Sequence, residues 1–458
     1  MKRFSEKFLV EWFERPHRKP LILRGARQVG KSTLVRNFAA SGGFDLIEIN
    51  LERNLRLNPV FKTNDGKKIL AEIEAASGKN VHAKEALLFL DEIQATPDAI
   101  PALRYLHEDM PELPIVAAGS LLEFVLARHG FSMPVGRIEF FHLGPMTFKE
   151  FLLAQNDESL VGYLEGYRLG GALPEMAHER LLLRQREYLF VGGMPEAVLV
   201  YSQSASLTEA QRVHRSVMNT YEDDFAKYTR QASELNRLHS VLGALPKIIG
   251  CKVKYSQISR EEQSKSLRLA IDLLVKARLL LPAHHSACSG VPLKASADPH
   301  VFKLFFLDVG LFNYLCGMEW GDLSRMDETR LVNEGVLAEQ FIAQHLAYRH
   351  EGLESPDLTY WLREGKTSNA EVDFAAAVGD RIFPIEVKAG TSGGLKSLQQ
   401  FVLKKKTPVA CRFDLNLPST QKVRHQTLEG GTVKSAEFNL VSLPLYLVEE
   451  TLRLLKTA

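Results

Sequence analysis

Short apolar runs that stop at a glycine, an aspartate or a serine punctuate the first 120 residues. "LILR" (21–24) runs into Gly25, "ALLFL" (86–90) into Asp91, and "PIVAAG" (114–119) into Ser120. Unbroken apolar runs bounded by turn-formers predict strands buried on both faces, as in a parallel sheet sandwiched by helices. From 155 to 235 the apolar and charged positions recur at helical spacing. The break at "VGGMPEAV" (191–198), two glycines and a proline, predicts a turn between helices. "YEDDFAKYT" (221–229) reads as a packed helix. Between 236 and 320 the pattern predicts a helix ("ELNRLHSVLGALPKIIG"), a short strand with a cap ("KYSQIS") and a second helix ("KSLRLAIDLLVKARLLLP"). A loop and a returning strand ("HVFKLFFLDVGLFNYLCG") follow. This is the order of a winged helix, whose second helix would read DNA through Lys265, Arg268, Lys276 and Arg278. Packing against protein is the competing use of that face. Finally, 371–378 and 381–388 are β-rich runs separated by Gly379-Asp380, a pair suited to a primed two-residue hairpin turn. That register sets Asp373 opposite Glu386 and Glu371 opposite Lys388, unless Pro384 introduces a bulge.

Chemistry attaches to two of these patterns. After the first strand come Gly25, four residues, then Gly30, Lys31 and Ser32 at the start of a helical pattern. Glycines let backbone N–H groups curl around phosphates, a lysine reaches the β/γ-phosphates, and a serine hydroxyl ligates Mg²⁺. The loop residues Gly25, Ala26, Arg27, Gln28, Val29, Gly30, Lys31, Ser32 and Thr33 are the expected ATP cradle. Asp91, ending the second strand, is placed to hold the Mg²⁺ shell with Ser32, and Glu92 to polarise the attacking water. A water-activating acid would waste ATP in a small-molecule kinase, so hydrolysis is expected. Ser120 ends the third strand, where its hydroxyl can sense the γ-phosphate or simply cap the next helix.

The hairpin is the second. Two carboxylates that face each other across strands repel, and a divalent cation removes that cost. With Mg²⁺ held by Asp373 and Glu386, Lys388 is placed to orient water or to stabilise charge on a phosphodiester. The plain alternative is a solvated strand face on which Glu371 and Lys388 pair. "VLKKKTPVACR" adds a local basic cluster suited to a phosphate backbone.

Composition narrows the picture without deciding it. A length of 458 residues favours about three domains. A net charge of +2 gives no global argument for nucleic acid or membrane, so any basic footprint is local. Cys251, Cys288, Cys316 and Cys411 are scattered without a CxxC pair, which points to a reducing compartment and no cysteine zinc site. His284, His285 and Cys288 read as a polar loop. The start, "MKRFSEKFLVEWFERPHRKP", has acidic residues breaking its apolar positions, and no apolar run reaches ~18 residues, so the expected location is cytoplasmic with no membrane partner.

The phosphate loop, the Asp91-Glu92 pair and Ser120 resemble the AAA+ superfamily of ATPases. Residues 136–152, "GRIEFFHLGPMTFKEFL", are similar to a "P-x-[ST]-F-x-E-F" segment of one bacterial and archaeal AAA family, here Pro145, Thr147, Phe148, Glu150 and Phe151. The resemblance implies an arginine finger or phosphate sensor, with Arg137 and Arg128 as candidates, and a homo-oligomeric ring with shared sites, a monomer or dimer being the alternative. "GGMPEA", "KLFFLDVGL" and "NEGVLAEQFIAQHL" resemble the domain-of-unknown-function family numbered 4143. The D-x12-E-x-K spacing of Asp373, Glu386 and Lys388 resembles the PD-(D/E)xK nucleases, although Val372 replaces their usual proline. That resemblance implies Glu339 as a further metal ligand and Gln399 or Gln400 as a site residue on the following helix. The expected plan is therefore an AAA+ core at 1–154, a helical lid at 155–235, a winged helix at 236–325 and an α/β restriction-endonuclease-like domain at 326–458. The expected function is ATP hydrolysis coupled to action on nucleic acid, DNA being favoured. The alternative is a regulatory ATPase switch whose C-terminal domain binds a protein or nucleic acid without cleaving it.

Overall fold

A computed structural model describes the chain except residues 121, 125–135, 230, 319–333, 350–351, 364–368, 391–392 and 430–431. It divides into two compact units, one of Met1–Pro145 with Lys276–Leu279 and His350–Ser355, the other of Met146–Val275, Leu280–Arg349 and Pro356–Ala458. The segments expected at 155–235, 236–325 and 326–458 therefore lie almost entirely in the second unit, and the helix Phe148–Ala154 belongs to it as well.

In the first unit, strands β1 (Leu21–Arg24), β2 (Asp45–Asn50), β3 (Ala86–Asp91), β4 (Ile115–Gly119) and β5 (Glu139–His142) form one parallel sheet. Their order is β2-β3-β4-β1-β5. Every residue of β3 and β4 is buried, as the unbroken apolar runs require of central strands covered on both faces. Helices Lys31–Gly42, Gly66–Ser77 and Ala99–Asp109 flank the sheet, the second capped by Asp65, which accepts from the Lys68 N–H at 3.1 Å. Parallel pairing puts all the strand ends on one edge. Arg24 is level with Gly119 and His142, so the loop after β1, Asp91 and Ser120 share that edge.

The second unit begins with helices Phe148–Ala154, Glu158–Gly166, Glu175–Val191, Pro195–Ser204 and Leu207–Tyr228, in line with the helical spacing of the sequence. The "P-x-[ST]-F-x-E-F" segment turns out to be a helix start. Thr147 and Glu150 form a reciprocal capping box, and Phe148 and Phe151 are buried against Tyr188. The "GGMPEA" and "LDVGL" segments meet each other at Asp308, which is fully buried. Its carboxylate accepts from the N–H groups of Gly193 (2.6 Å) and Leu311 (3.0 Å), and Gly192 has no room for a Cβ beside it. Gln340 and Gln344, from the helix Glu334–Ala347, brace the same strand end by accepting from Phe306 N and Val309 N at 2.7 and 2.8 Å.

The "KYSQIS" stretch is a correction. It forms a single helical turn, Tyr255–Ile258, because Tyr255 and Ile258, three apart, turn to one side, with no alternation to make a strand. Helices Ala232–Ile248 and Ser264–Lys276 flank it as expected. Strands β6 (Leu280–Ser286) and β7 (Ala297–Phe306) then pair antiparallel, and β6 goes on to pair with β8 (Leu358–Arg363). The resulting sheet runs β7-β6-β8-β9, with β9 at Ala370–Val372. A second sheet, β10-β11-β12-β14-β13, comprises Phe374–Val378, Arg381–Val387, Val409–Asp414, Thr432–Pro444 and Ser419–Glu429.

The thin basic footprint expected on the helix Ser264–Lys276 is thinner still. Arg268 is tied to Asp272 at 3.0 Å and lies over the Phe302 ring, and Arg278 donates to Glu123 at 2.9 Å beside Arg24. Lys265 and Lys276 are left as its exposed members.

His345 illustrates how tightly the second unit is specified. Its Nε2 accepts from the Phe148 N–H at 2.9 Å, which leaves Nδ1–H to donate to the Phe341 carbonyl at 2.7 Å. Burial lowers its pKa to about 4, below the unfolded value of about 6.5. The neutral ring's contribution is therefore fully present above pH 6.5 and lost as pH falls through 4. His345→Ala should cost about 2 kcal/mol at pH 7.5, and that cost should shrink steadily toward pH 4.5 in denaturant titrations of the two proteins side by side.

Candidate functional site

Gly25 and Gly30 give the loop after β1 its shape. A Cβ at Gly25 would strike the Leu143 carbonyl, and Gly30, at φ +91°, forms the N-cap of the helix Lys31–Gly42. Gln28 also adopts the left-handed region at φ +64°. Ala26 and Val29 are buried beneath the loop, Arg27 and Ser32 are half-buried, and Gln28 and Thr33 are exposed. The loop backbone is pinned from the N-terminus by Arg3, which donates to Val29 O at 3.0 Å and Gly144 O at 2.9 Å. Nothing in the spacing around Arg3 signals this.

Lys31 donates to the loop carbonyls of Gly25 (3.1 Å) and Ala26 (2.7 Å). Burial pulls its pKa down to about 8, in spite of the nearby Glu92 and Asp91. Across the edge, Ser32 Oγ bonds both Asp91 carboxylate oxygens at 3.0 Å, which brings the two expected Mg²⁺ ligands together. Burial raises the Asp91 pKa, a pressure that a cation at this carboxylate would relieve. Glu92 follows at φ +52°, with its N–H on Asp91 Oδ1 at 3.1 Å. Its carboxylate accepts from Gln94, whose side chain fills the space a Cβ at Gly119 would need, one residue before buried Ser120. Gln94 thus joins the strand β3 acid to the end of β4, a role legible only once the strands are neighbours. Arg137 is exposed and pairs with Glu108 at 3.5 Å, while Arg128 lies outside the described residues.

The second cluster forms where β9 and β10 meet. The hairpin register is the expected one over its paired length, Phe374 facing Ile385 and Ala375 facing Pro384 with no bulge, around Gly379 at φ +63°. Asp373 lies one residue beyond the last pair, at the bend between β9 and β10, and accepts from Val387 N at 2.8 Å. Glu371 does not face Lys388: β9 has left for the other sheet, where Glu371 pairs with Leu362. Lys388 instead bonds Glu386 Oε1 at 2.6 Å, its neighbour two residues back on the same face.

The group that holds the cluster together is Lys303 of β7, 1% exposed, which the linear spacing gave no reason to choose. Its ammonium bonds Glu371 and lies 3.7 Å from Glu339 Oε2 and 3.8 Å from Asp373 Oδ1. Burial works against that charge, but Glu339, Asp373 and Glu371 outweigh it and hold the pKa above the usual lysine range. The carboxylates respond oppositely. Burial, then the neighbouring Asp373, pushes Glu339 to about 8 and Glu386 to about 7, and burial raises Asp373 itself. Glu386 Oε2 and Glu339 Oε2 are buried without a hydrogen-bond donor. On the next helix Gln400 accepts from Arg363 at 2.5 Å, and Gln399 is half-buried.

A divalent cation fits this donor set in part. The cluster offers four carboxylates and two ammonium groups, and Glu386 Oε2 is a buried carboxylate oxygen that receives no hydrogen bond. As arranged, with Lys303 among them, no three of the described His, Cys, Asp or Glu residues close into a metal-holding group, and this applies to His284, His285 and Cys288 as well. All four cysteines are unpaired, and no described helix is long and apolar enough to cross a membrane.

Residues 17–152 match the family model of an AAA domain. Residues 183–322 match a domain of unknown function, DUF8612, and residues 334–428 another, DUF4143. "GGMPEA" and "KLFFLDVGL" fall within the DUF8612 match, and "NEGVLAEQFIAQHL" lies at the start of the DUF4143 match. No curated protein matches the chain. Among solved structures, that of C. elegans PCH-2 is 15% identical over 45% of this chain and 62% of that one, less than two thirds of its length. The TM-score between the two is 0.25. The chain therefore carries an AAA domain at residues 17–152 and a domain of the DUF4143 family at residues 334–428.

Proposed function

We propose that the protein hydrolyses ATP at the β1 edge and uses the cycle to control a PD-(D/E)xK-type site that acts on nucleic acid. The observation that carries the ATPase reading is the Ser32–Asp91 contact, which joins the phosphate loop to the acid of β3 with Glu92 beside it. Backbone N–H groups of Ala26 to Thr33 would cradle the phosphates, and Lys31 would exchange its loop carbonyls for phosphate oxygens. Bound Mg²⁺ would neutralise developing charge on the phosphates, with Ser32 and Asp91 as its protein ligands. Glu92, released from Gln94, would accept a proton from the attacking water, and Ser120 lies on the same edge to report the γ-phosphate. Arg137 or Arg128 would serve a neighbouring subunit if the protein assembles as a homo-oligomer.

In the second unit, Asp373, Glu386 and Glu339 would hold a Mg²⁺ ion, which supplies charge stabilisation at a scissile phosphodiester. Lys388, on the face of Glu386, would then orient the attacking water. The order of helices Ala232–Ile248, Tyr255–Ile258 and Ser264–Lys276 followed by the β6–β7 hairpin supports a winged helix, although β6 is committed on its other edge to β8. Lys404 and Lys406 remain exposed to contact a phosphate backbone. One observation favours the second reading, a switch that binds without cutting: Lys303 already sits among the carboxylates a metal would need.

Lys31→Ala should abolish ATP turnover, whereas Glu92→Gln should retain nucleotide binding and lower kcat by about 10²–10⁴-fold, read by phosphate release and by binding of a fluorescent ATP analogue. Loss of nucleotide binding in Glu92→Gln would remove it from the role of base. Labelled DNA and RNA incubated with Mg²⁺ or Mn²⁺, with and without ATP, should be cleaved by the natural protein and not by Lys388→Ala. Intact ATPase activity with every substrate uncut would instead favour the binding switch.

A further inference from the structure

Lys303 is an unusual choice for a buried β-strand position. It lies between Phe302 and Leu304 in a run where every residue from Phe302 to Phe306 is buried. On its own face of β7 it is followed by Phe305, which packs on Phe374 at 5.3 Å between ring centroids, and Phe374 adjoins Asp373. The strand therefore aims the lysine at the bend between the two sheets. Its ammonium stands 5.3 Å from the centre of the Tyr360 ring, so its surroundings are carboxylates and an aromatic face.

The three carboxylates around it are unequal. Glu371, its hydrogen-bonded partner, has the most exposed side chain, at 35%, against 22% for Glu339 and 13% for Asp373. Gly250 lies against Glu339: a Cβ added there would stand 3.1 Å from Glu339 Oε2. Movement away from Glu339 and Asp373 thus has an outlet toward Glu371, where the charge stays paired. Meanwhile Glu386 Oε2 is buried without a hydrogen-bond donor, and Glu339 Oε2 makes no hydrogen bond, with the Lys303 ammonium 3.7 Å away.

Resting on the metal-site reading above, we propose that Lys303 is a built-in competitor for the divalent cation. It holds the ligand set assembled without metal, and metal enters by displacing its ammonium from Glu339 and Asp373 toward Glu371. The cluster would then exchange a tethered monovalent cation for a free divalent one, with Lys303 as a positioning residue that sets the metal concentration at which the site fills.

The test is Mn²⁺ binding to the full-length protein, followed by electron paramagnetic resonance and by the metal-induced rise in Tm, for the natural protein, Lys303→Met and Lys303→Arg. Removing the competing ammonium leaves the carboxylates to the metal, so Lys303→Met should bind Mn²⁺ at least tenfold more tightly and gain more in Tm. Lys303→Arg keeps the charge and should stay near the natural affinity. Equal or weaker Mn²⁺ binding by Lys303→Met overturns the proposal while leaving the metal site standing. Absence of Mn²⁺ binding in all three proteins overturns both. Should Lys303→Met fail to fold, amine-reactive footprinting of the natural protein gives the answer. Labelling of Lys303 should rise on adding Mn²⁺ relative to exposed Lys404, and unchanged labelling with Mn²⁺ bound overturns displacement.

Discussion

A charge taken out of water must meet its counter-charge inside the fold, because the desolvation of an unpaired ion exceeds anything packing returns. Both clusters are organised by that constraint. At the β1 edge Lys31 is buried near Asp91 and Glu92, and its loop carbonyls hold its protons. In the second unit Lys303 and Lys388 divide four carboxylates between them.

What could be read from the chain follows from how far apart the interacting residues are in sequence. Strand β1, the glycine loop and the helix after it are contiguous, so one stretch displays all their parts. The hairpin register was equally local, fixed by Gly379 and the alternation around it, and Phe374–Ile385 pairs as the turn dictates. One residue further the reading failed. Glu371 leaves for β8 at the bend, and no local pattern announces a strand that changes sheets. Lys303 was invisible for the same reason, being brought to Asp373 by sheet pairing across some seventy residues. Arg3 and Gln94 were likewise found only through their partners.

Sequence signatures also changed meaning. "P-x-[ST]-F-x-E-F" served as a family signature, and its Thr147 and Glu150 spend their polar groups on each other at a helix start. "GGMPEA", "LDVGL" and the glutamines of "EQFIAQHL" converge on Asp308 and the end of β7, where small residues permit the approach and amides satisfy the backbone. These are architectural motifs, and their convergence places Glu339 on the same helix as Gln340 and Gln344. A structural brace thereby fixes the reach of a cluster residue.

The bend at Asp373 makes that residue a seam. The strand segment before it is bonded into one sheet and the segment after it into the other, while its carboxylate is fastened to Val387 in the second. A small change in twist between the sheets would carry Glu371 with the first and Asp373 with the second, widening or closing the gap that Lys303 spans. Glu371 and Asp373, two residues apart in the chain, thus answer to different sheets.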